Sequence, residues 1–214
     1  MNRIIKNIKI LLGLTFAIIW VNCGSSNGPE EPENLKLGWQ RFQNADYDSA
    51  LTLFNKALKN KKTTEGRVGK GWSLLMLDTS LTEVESNLEY GISDTAWESN
   101  ARVGLASVKL SQGKYTQALN HSNIVLNDNS SYVFQYNSNI DWHDLIVIKS
   151  QALFLGKRNY IEAYNTIEKI EPDSSYHLNP EDPKTWQLQG EKFDSFNNIL
   201  AEIIAEESKK YKSF

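Results

Sequence analysis

Leu37-Gly38-Trp39, followed by Asp46-Tyr47-Asp48-Ser49-Ala50-Leu51-Thr52-Leu53-Phe54-Asn55-Lys56-Ala57-Leu58, decides the fold class of this 214-residue chain. Its apolar and small residues recur at i, i+3, i+4 and i+7, the period of a helix that buries one face. The pattern returns 34 residues later as Val84-x-x-x-Leu88-x-x-Gly91-Ile92. It returns again after a further 34 as Tyr115-x-x-Ala118-Leu119-x-x-Ser122-x-x-Val125-Leu126. A fixed period of about 34 residues, built from two helical stretches, marks units that bury their apolar faces by stacking on neighbours. No segment shows the strict alternation of a half-buried strand. The sequence therefore predicts an all-α protein.

Working outward, the first unit pairs a helix near Leu35–Asn44 with one near Tyr47–Lys59, with Asp46 as N-cap. The second pairs about Glu65–Leu77 with about Leu81–Ser93, and Ser80-x-x-Glu83 has capping-box spacing. The third pairs about Ser99–Ser111 with about Tyr115–Asn127, and Gly113 supplies the left-handed residue that a helix end often needs. A fourth pairs Asp144–Leu155, closed by Gly156, with a helix opened by Asn159. Ala163 follows Ala118 by 45 residues, eleven more than the period. The excess falls in Asn129–Asn139, an insertion carrying Tyr132, Phe134 and Tyr136. Insertions in stacked repeats tend to map to one face, often the binding one. Beyond Pro172, Asn179-Pro180-Glu181-Asp182-Pro183 is a turn-rich break. An amphipathic helix from about Trp186 to Tyr211 then fits the role of a cap.

These units resemble tetratricopeptide repeats. The likeness is carried by the small–aromatic–Ala–aromatic–Ala order of the opening stretch and by Ala106, Gly113, Tyr115 and Ala118 in the third unit. The second and fourth units are degenerate. The resemblance implies repeats over residues 33–172 (33–60, 64–94, 98–128 and 141–172, with the insertion at 129–139). Residues 173–214 then form a C-terminal loop and capping helix. It also implies a groove lined by the first helix of each pair, where Trp39, Trp72, Ser107 and Gln151 occupy equivalent positions. With Tyr132, Phe134 and Tyr136, these are the candidate partner-binding residues. Two readings stand side by side for the Trp rings: anchors for a partner in the groove, or packing against the next unit or the C-terminal helix.

Residues 1–22 read as a secretory signal, with Arg3, Lys6 and Lys9 ahead of an apolar run from Ile10 to Val21. That run is shorter than the roughly 20 residues a spanning helix needs. Cys23, the only cysteine, follows at once. Trp20-Val21-Asn22-Cys23-Gly24 resembles a bacterial lipoprotein box, although Trp20 stands where Leu is usual and Asn22 where Gly, Ala or Ser is usual. The resemblance implies lipid attachment at Cys23. Residues 23–32, rich in Gly, Ser and Pro, would serve as a flexible tether. The expected address is the cell envelope, lipid-anchored at the outer membrane and facing the periplasm or the surface.

Composition is that of a soluble protein, 40% hydrophobic and 23% charged, with a net charge of −3. The first 22 residues contribute +3, so the remainder carries −6. Lys56-x-x-Lys59-x-Lys61-Lys62 and Lys209-Lys210-x-Lys212 sit at or beyond helix ends, where Lys meets the negative end of the macrodipole. Nucleic acid is not an expected partner, since a binder needs a clustered basic face. His121, His143 and His177 lack the neighbours of a metal site, and no cofactor is implied. Asp141-Trp142-His143-Asp144 is the densest polar group, and N-capping by Asp141 accounts for it better than catalysis. The expectation is a non-enzymatic, membrane-anchored adaptor that binds a protein or peptide. Alternatives are a glycan- or peptide-binding lipoprotein using the aromatics as stacking platforms, or a subunit of an outer-membrane assembly machine.

Overall fold

The computed structural model describes residues 31–61, 63–170 and 176–211. The signal, Cys23, most of the tether and the Glu171-Pro172 unit end lie outside these. Nine helices dominate the described residues: α1 Glu31–Gln43, α2 Tyr47–Asn60, α3 Thr64–Met76, α4 Leu81–Leu88, α5 Glu98–Ser111, α6 Tyr115–Asp128, α7 Trp142–Ala152, α8 Tyr160–Ile167 and α9 Phe196–Lys210. The described residues are all-α apart from a small hairpin of two-residue strands, β1 Gln187–Leu188 and β2 Glu191–Lys192.

The turn inside each of the first four helix pairs holds one residue in the left-handed region, and the first three share one hydrogen-bond pattern. Ala45, Asp78, Gly113 and Arg158 all adopt positive φ, and each stands one or two residues before the N-cap of the next helix. In the first three, the amide three residues past the helix end reaches back five residues: Asp46 N–H to Arg41 O, Thr79 to Leu74 and Lys114 to Lys109. This is the Schellman geometry, which satisfies carbonyls the helix leaves open. Asp46 accepts from Ser49 N at 3.3 Å, and Asn159 from Glu162 N at 3.3 Å. The capping box expected at Ser80 does not form. Ser80 makes no side-chain cap bond, and Glu83 pairs instead with Lys70 on α3 at 2.8 Å.

Consecutive helices pack on each other, and α1, α3, α5 and α7 also touch in series. Short turns between packed neighbours make them antiparallel. Small residues set the close crossings. A Cβ on Gly38 would lie 2.8 Å from the Phe54 ring, and one on Gly69 2.4 Å. Leu88 is held likewise by Gly71 and Gly104, at 2.8 and 2.7 Å. So in α2 and α4 the large residue fills a slot between glycines of the two odd helices beside it. Phe54 and Leu88 are fully buried, each stabilising the fold by about 1.5–3 kcal/mol through transfer alone.

Several boundaries differ from expectation. α1 begins at Glu31, ahead of the expected tether end, because Pro32 in a first turn costs no hydrogen bond. α4 stops at Leu88 and tightens into a 3-10 turn over Glu89–Ser93, where Gly91 backs onto Ala101. α7 starts at Trp142 and ends in a π turn over Leu153–Lys157. Arg158, not Gly156, takes the left-handed position, while Gly156 leaves room for Tyr115, whose Cβ would be 2.3 Å from a side chain there. The final helix begins ten residues later than expected, at Phe196 rather than Trp186. The intervening chain forms the hairpin, whose Gln189-Gly190 loop has φ of 50° and 87°, as a two-residue type I′ turn requires.

Two apolar clusters result. The first runs from α1 through α6 onto one side of α7 and includes the insertion. The second joins α7, α8, the hairpin and α9. Leu119, Leu126 and Trp142 pack against both.

Candidate functional site

The insertion folds back over the face shared by α1, α3 and α5. A backbone bridge pairs Val133 with Asp141; Phe134 N–H donates to Ile140 O at 2.9 Å and Trp142 N–H to Tyr132 O at 2.9 Å. This short loop thrusts Phe134 inward. Its ring stacks on Trp72 at 4.6 Å and meets the edges of Phe42 and Trp39 at 5.9 and 6.1 Å. Tyr136 lies nearly parallel to Trp39 at 3.9 Å, and Trp97 parallels Trp39 at 5.4 Å. Of the candidate residues, Trp39, Trp72, Phe134 and Tyr136 thus form one aromatic layer.

That layer is inside the protein. Trp39 is 3% exposed, Trp72 and Phe134 0%, and Tyr132 4%, with Tyr136 half-buried. Polar ends are bonded. Trp39 Nε1 donates to Glu65 Oε1 at 2.9 Å, Trp72 Nε1 to Asn100 O at 3.2 Å, and Tyr132 Oη to Asn100 Oδ1 at 2.8 Å. Burial, then the Asp144 charge, pushes the Tyr132 phenol up, so it stays a donor. The reading of the Trp rings as packing describes Trp72 entirely and Trp39 almost so. Ser107 and Gln151 lie elsewhere, in a cleft between α5, α7 and the end of α9. Gln151 Nε2 donates to Ser208 Oγ at 2.7 Å, so α9 crosses that part of the face.

Two openings lie along this face, the first of them bordered by the loop's Tyr136. One, of about 400 Å³, is lined by Leu35, Trp39, Gln40, Gln43, Glu65 and Tyr136, among others. The second, of about 320 Å³, includes Ser107, Leu110, Asp144, Gln151, Ser208 and Tyr211.

The polar group at the start of α7 is a cap. Asp141 accepts from His143 N at 2.8 Å, and Asp144 accepts from Asp141 N at 2.8 Å, a full capping box. The same Asp141 oxygen meets His143 Nδ1 at 2.8 Å. The imidazole lies flat on Tyr211, 4.7 Å away at 2°. His121 sits apart, beside Arg102 at 3.4 Å; burial, then the charges of Arg102 and Lys109, pull its imidazole down to about 4. Among the described residues no group of three His, Cys, Asp or Glu side chains could hold a metal ion. Nor is any described helix long and apolar enough to cross a membrane.

Sequence reasoning missed Trp97 and Asn100. Trp97 precedes α5 and belongs to no periodic position, so nothing in the pattern singles it out. Asn100 did carry a signal, as a polar residue beside the apolar Ala101 and Val103 near the start of a buried helix. No protein-family model matches this chain, and a search of curated proteins finds none similar to it.

Proposed function

We propose that the chain is a non-enzymatic, tetratricopeptide-like adaptor of the bacterial envelope, held to a membrane by lipid on Cys23. It docks a protein or peptide partner on the face shared by its odd-numbered helices. One observation carries this reading. That face is continuous from α1 to α7, the chain's own loop covers its α1–α5 part, and open clefts remain beside α1 and between α5 and α7. The partner engages the two clefts rather than the layer beneath, since removing Phe134 would expose Trp39, Trp72 and Phe42 together. Burial of these rings favours an interaction scaffold over a glycan platform, which needs open ring faces for stacking.

Photo-crosslinkers at the exposed, cleft-lining Gln40 and Gln43, with one at Gln187 on the hairpin, test the surface in native membranes. A common partner captured from the first two and absent from the third is expected. Equal capture from all three, or from none, sinks the reading. Anchoring is tested separately: a Cys23→Ala chain should leave the membrane fraction once its signal is removed.

A further inference from the structure

A second polar site lies on the opposite side, where α2, α3 and α4 meet. A cleft of about 350 Å³ is lined by Asn55, Leu58, Lys59, Arg67, Lys70 and Asn87. Three cations converge there. Lys70 is paired with Glu83, at 2.8 Å. Neither Lys59 nor Arg67 forms an ion pair among the described residues. Arg67 is held in place by Tyr90, with its guanidinium carbon 3.8 Å from the ring centroid. Its Nε is buried and has no hydrogen-bond partner. A buried donor left unmade costs about 1–3 kcal/mol, and more for a charged group. A positioned guanidinium, beside an ammonium with no ion pair among the described residues and the Asn55 side chain, suits an acceptor with several oxygens and negative charge; the Asn87 amide already donates to Glu83 O at 2.8 Å.

We infer that this cleft binds a phosphate-type oxyanion, with Arg67 as the directional donor and Lys59 and Lys70 as flanking charges. Guanidinium forks match phosphate oxygens bidentately, and Lys supplies charge without fixed geometry. The site's place in the fold suggests one source of that phosphate. α1 and α2 are antiparallel, so Lys59 at the end of α2 lies at the end of the pair where α1 begins. Seven residues, Gly24–Glu30, separate that start from Cys23, a reach of at most about 25 Å. If the lipid-anchor reading holds, lipid headgroups lie within range. The oxyanion chemistry does not depend on that reading.

The test uses the full chain and two probes. Inorganic phosphate is titrated while the Arg67 Nε–H signal is followed by NMR. A saturable shift is expected, weakened about tenfold in Lys59→Gln, the loss of one charged contact. Lys59 is exposed in the last turn of α2, so that variant folds; Arg67→Gln should remove binding altogether, and Lys192→Gln on the hairpin should change nothing. Flotation then compares phosphatidylcholine vesicles with equimolar phosphatidylcholine and phosphatidylglycerol. The excess on the second cancels any insertion of the apolar N-terminal segment. An excess that phosphate competes away identifies headgroups as the source. Phosphate saturation with no excess identifies free phosphate. No saturable shift at Arg67, or a lipid excess indifferent to both phosphate and Lys59→Gln, overturns the site. A Cys23→Ala chain that stays membrane-bound would remove the anchor reading and leave the phosphate titration untouched.

Discussion

The two apolar clusters of this protein are built on different logics. The first repeats one device, a large side chain from an even helix set between glycines of two odd helices, and then covers it with an aromatic lid. The second has no such slot. It relies on the aliphatic stripe of α9, where Ile199, Leu200 and Ile203 are fully buried, and on a polar chain beside it. There Tyr176 Oη donates to Glu207 Oε1 at 2.9 Å, and Leu178 N–H donates to Tyr164 Oη at 3.0 Å. The contrast teaches that a periodic sequence can specify crossings between helices, while an end must be closed by contacts that occur once.

The largest test of this contrast is a matched pair of cavities. Phe134→Ala should cost about 3–5 kcal/mol and Leu200→Ala about 2–5. Hydrogen exchange should localise the first loss in α1–α6 and the second in α8–α9. Equal loss of protection throughout both variants would show one cooperative unit joined by Leu119, Leu126 and Trp142. A smaller effect is expected at Glu207, which is 1% exposed and also takes Lys210 at 2.8 Å. Glu207→Ala leaves the Tyr176 hydroxyl without its acceptor and should cost about 1–3 kcal/mol. Urea unfolding of the variant reads it, with the Phe134→Ala background as a check that the loss stays in the second cluster.

Acid should strike the first cluster at His121. Its folded value of about 4 lies below the ordinary 6.5, so between these the unfolded chain binds the extra proton. The stability it protects is complete above 6.5 and falls away as pH drops toward 4. A wild-type Tm that declines across this window, against a flatter profile for His121→Gln, is the expected result. The smallest change is a gain. Ala45 holds φ at 57°, where a side chain costs about 1–2 kcal/mol, so Ala45→Gly should add about 0.5–1 kcal/mol once the extra freedom of the unfolded chain is subtracted. A loss there would mean that the flexibility given to the unfolded chain outweighs the relieved turn.

What the sequence disclosed follows the same division. The helix pairs, Phe54, Leu88 and the cap at Asp141 were legible because each follows from a period or a local hydrogen bond. The hairpin at 187–192 was not, since two-residue strands carry no alternation to detect and Gln189-Gly190 is a weak turn signal. The insertion stood out by its length and its aromatics, but length says nothing about direction. Whether Phe134 points outward to a ligand or inward to Trp72 depends on three distant helices meeting, a tertiary fact that no local pattern encodes. Trp39 and Trp72 were singled out by their equivalence, and their burial was decided by that same loop.

The reach of that loop also fixes how many helix pairs can lie beneath it. Arrays of stacked helix pairs ordinarily lengthen or shorten by whole units, since each touches only its neighbours. Here Tyr136, which follows the third pair, lies against Trp39 in the first. Deleting or duplicating the middle pair would carry the loop past its seat by the height of one unit. The count of pairs beneath it is therefore locked, as a strap sewn at both ends sets the size of what it encloses.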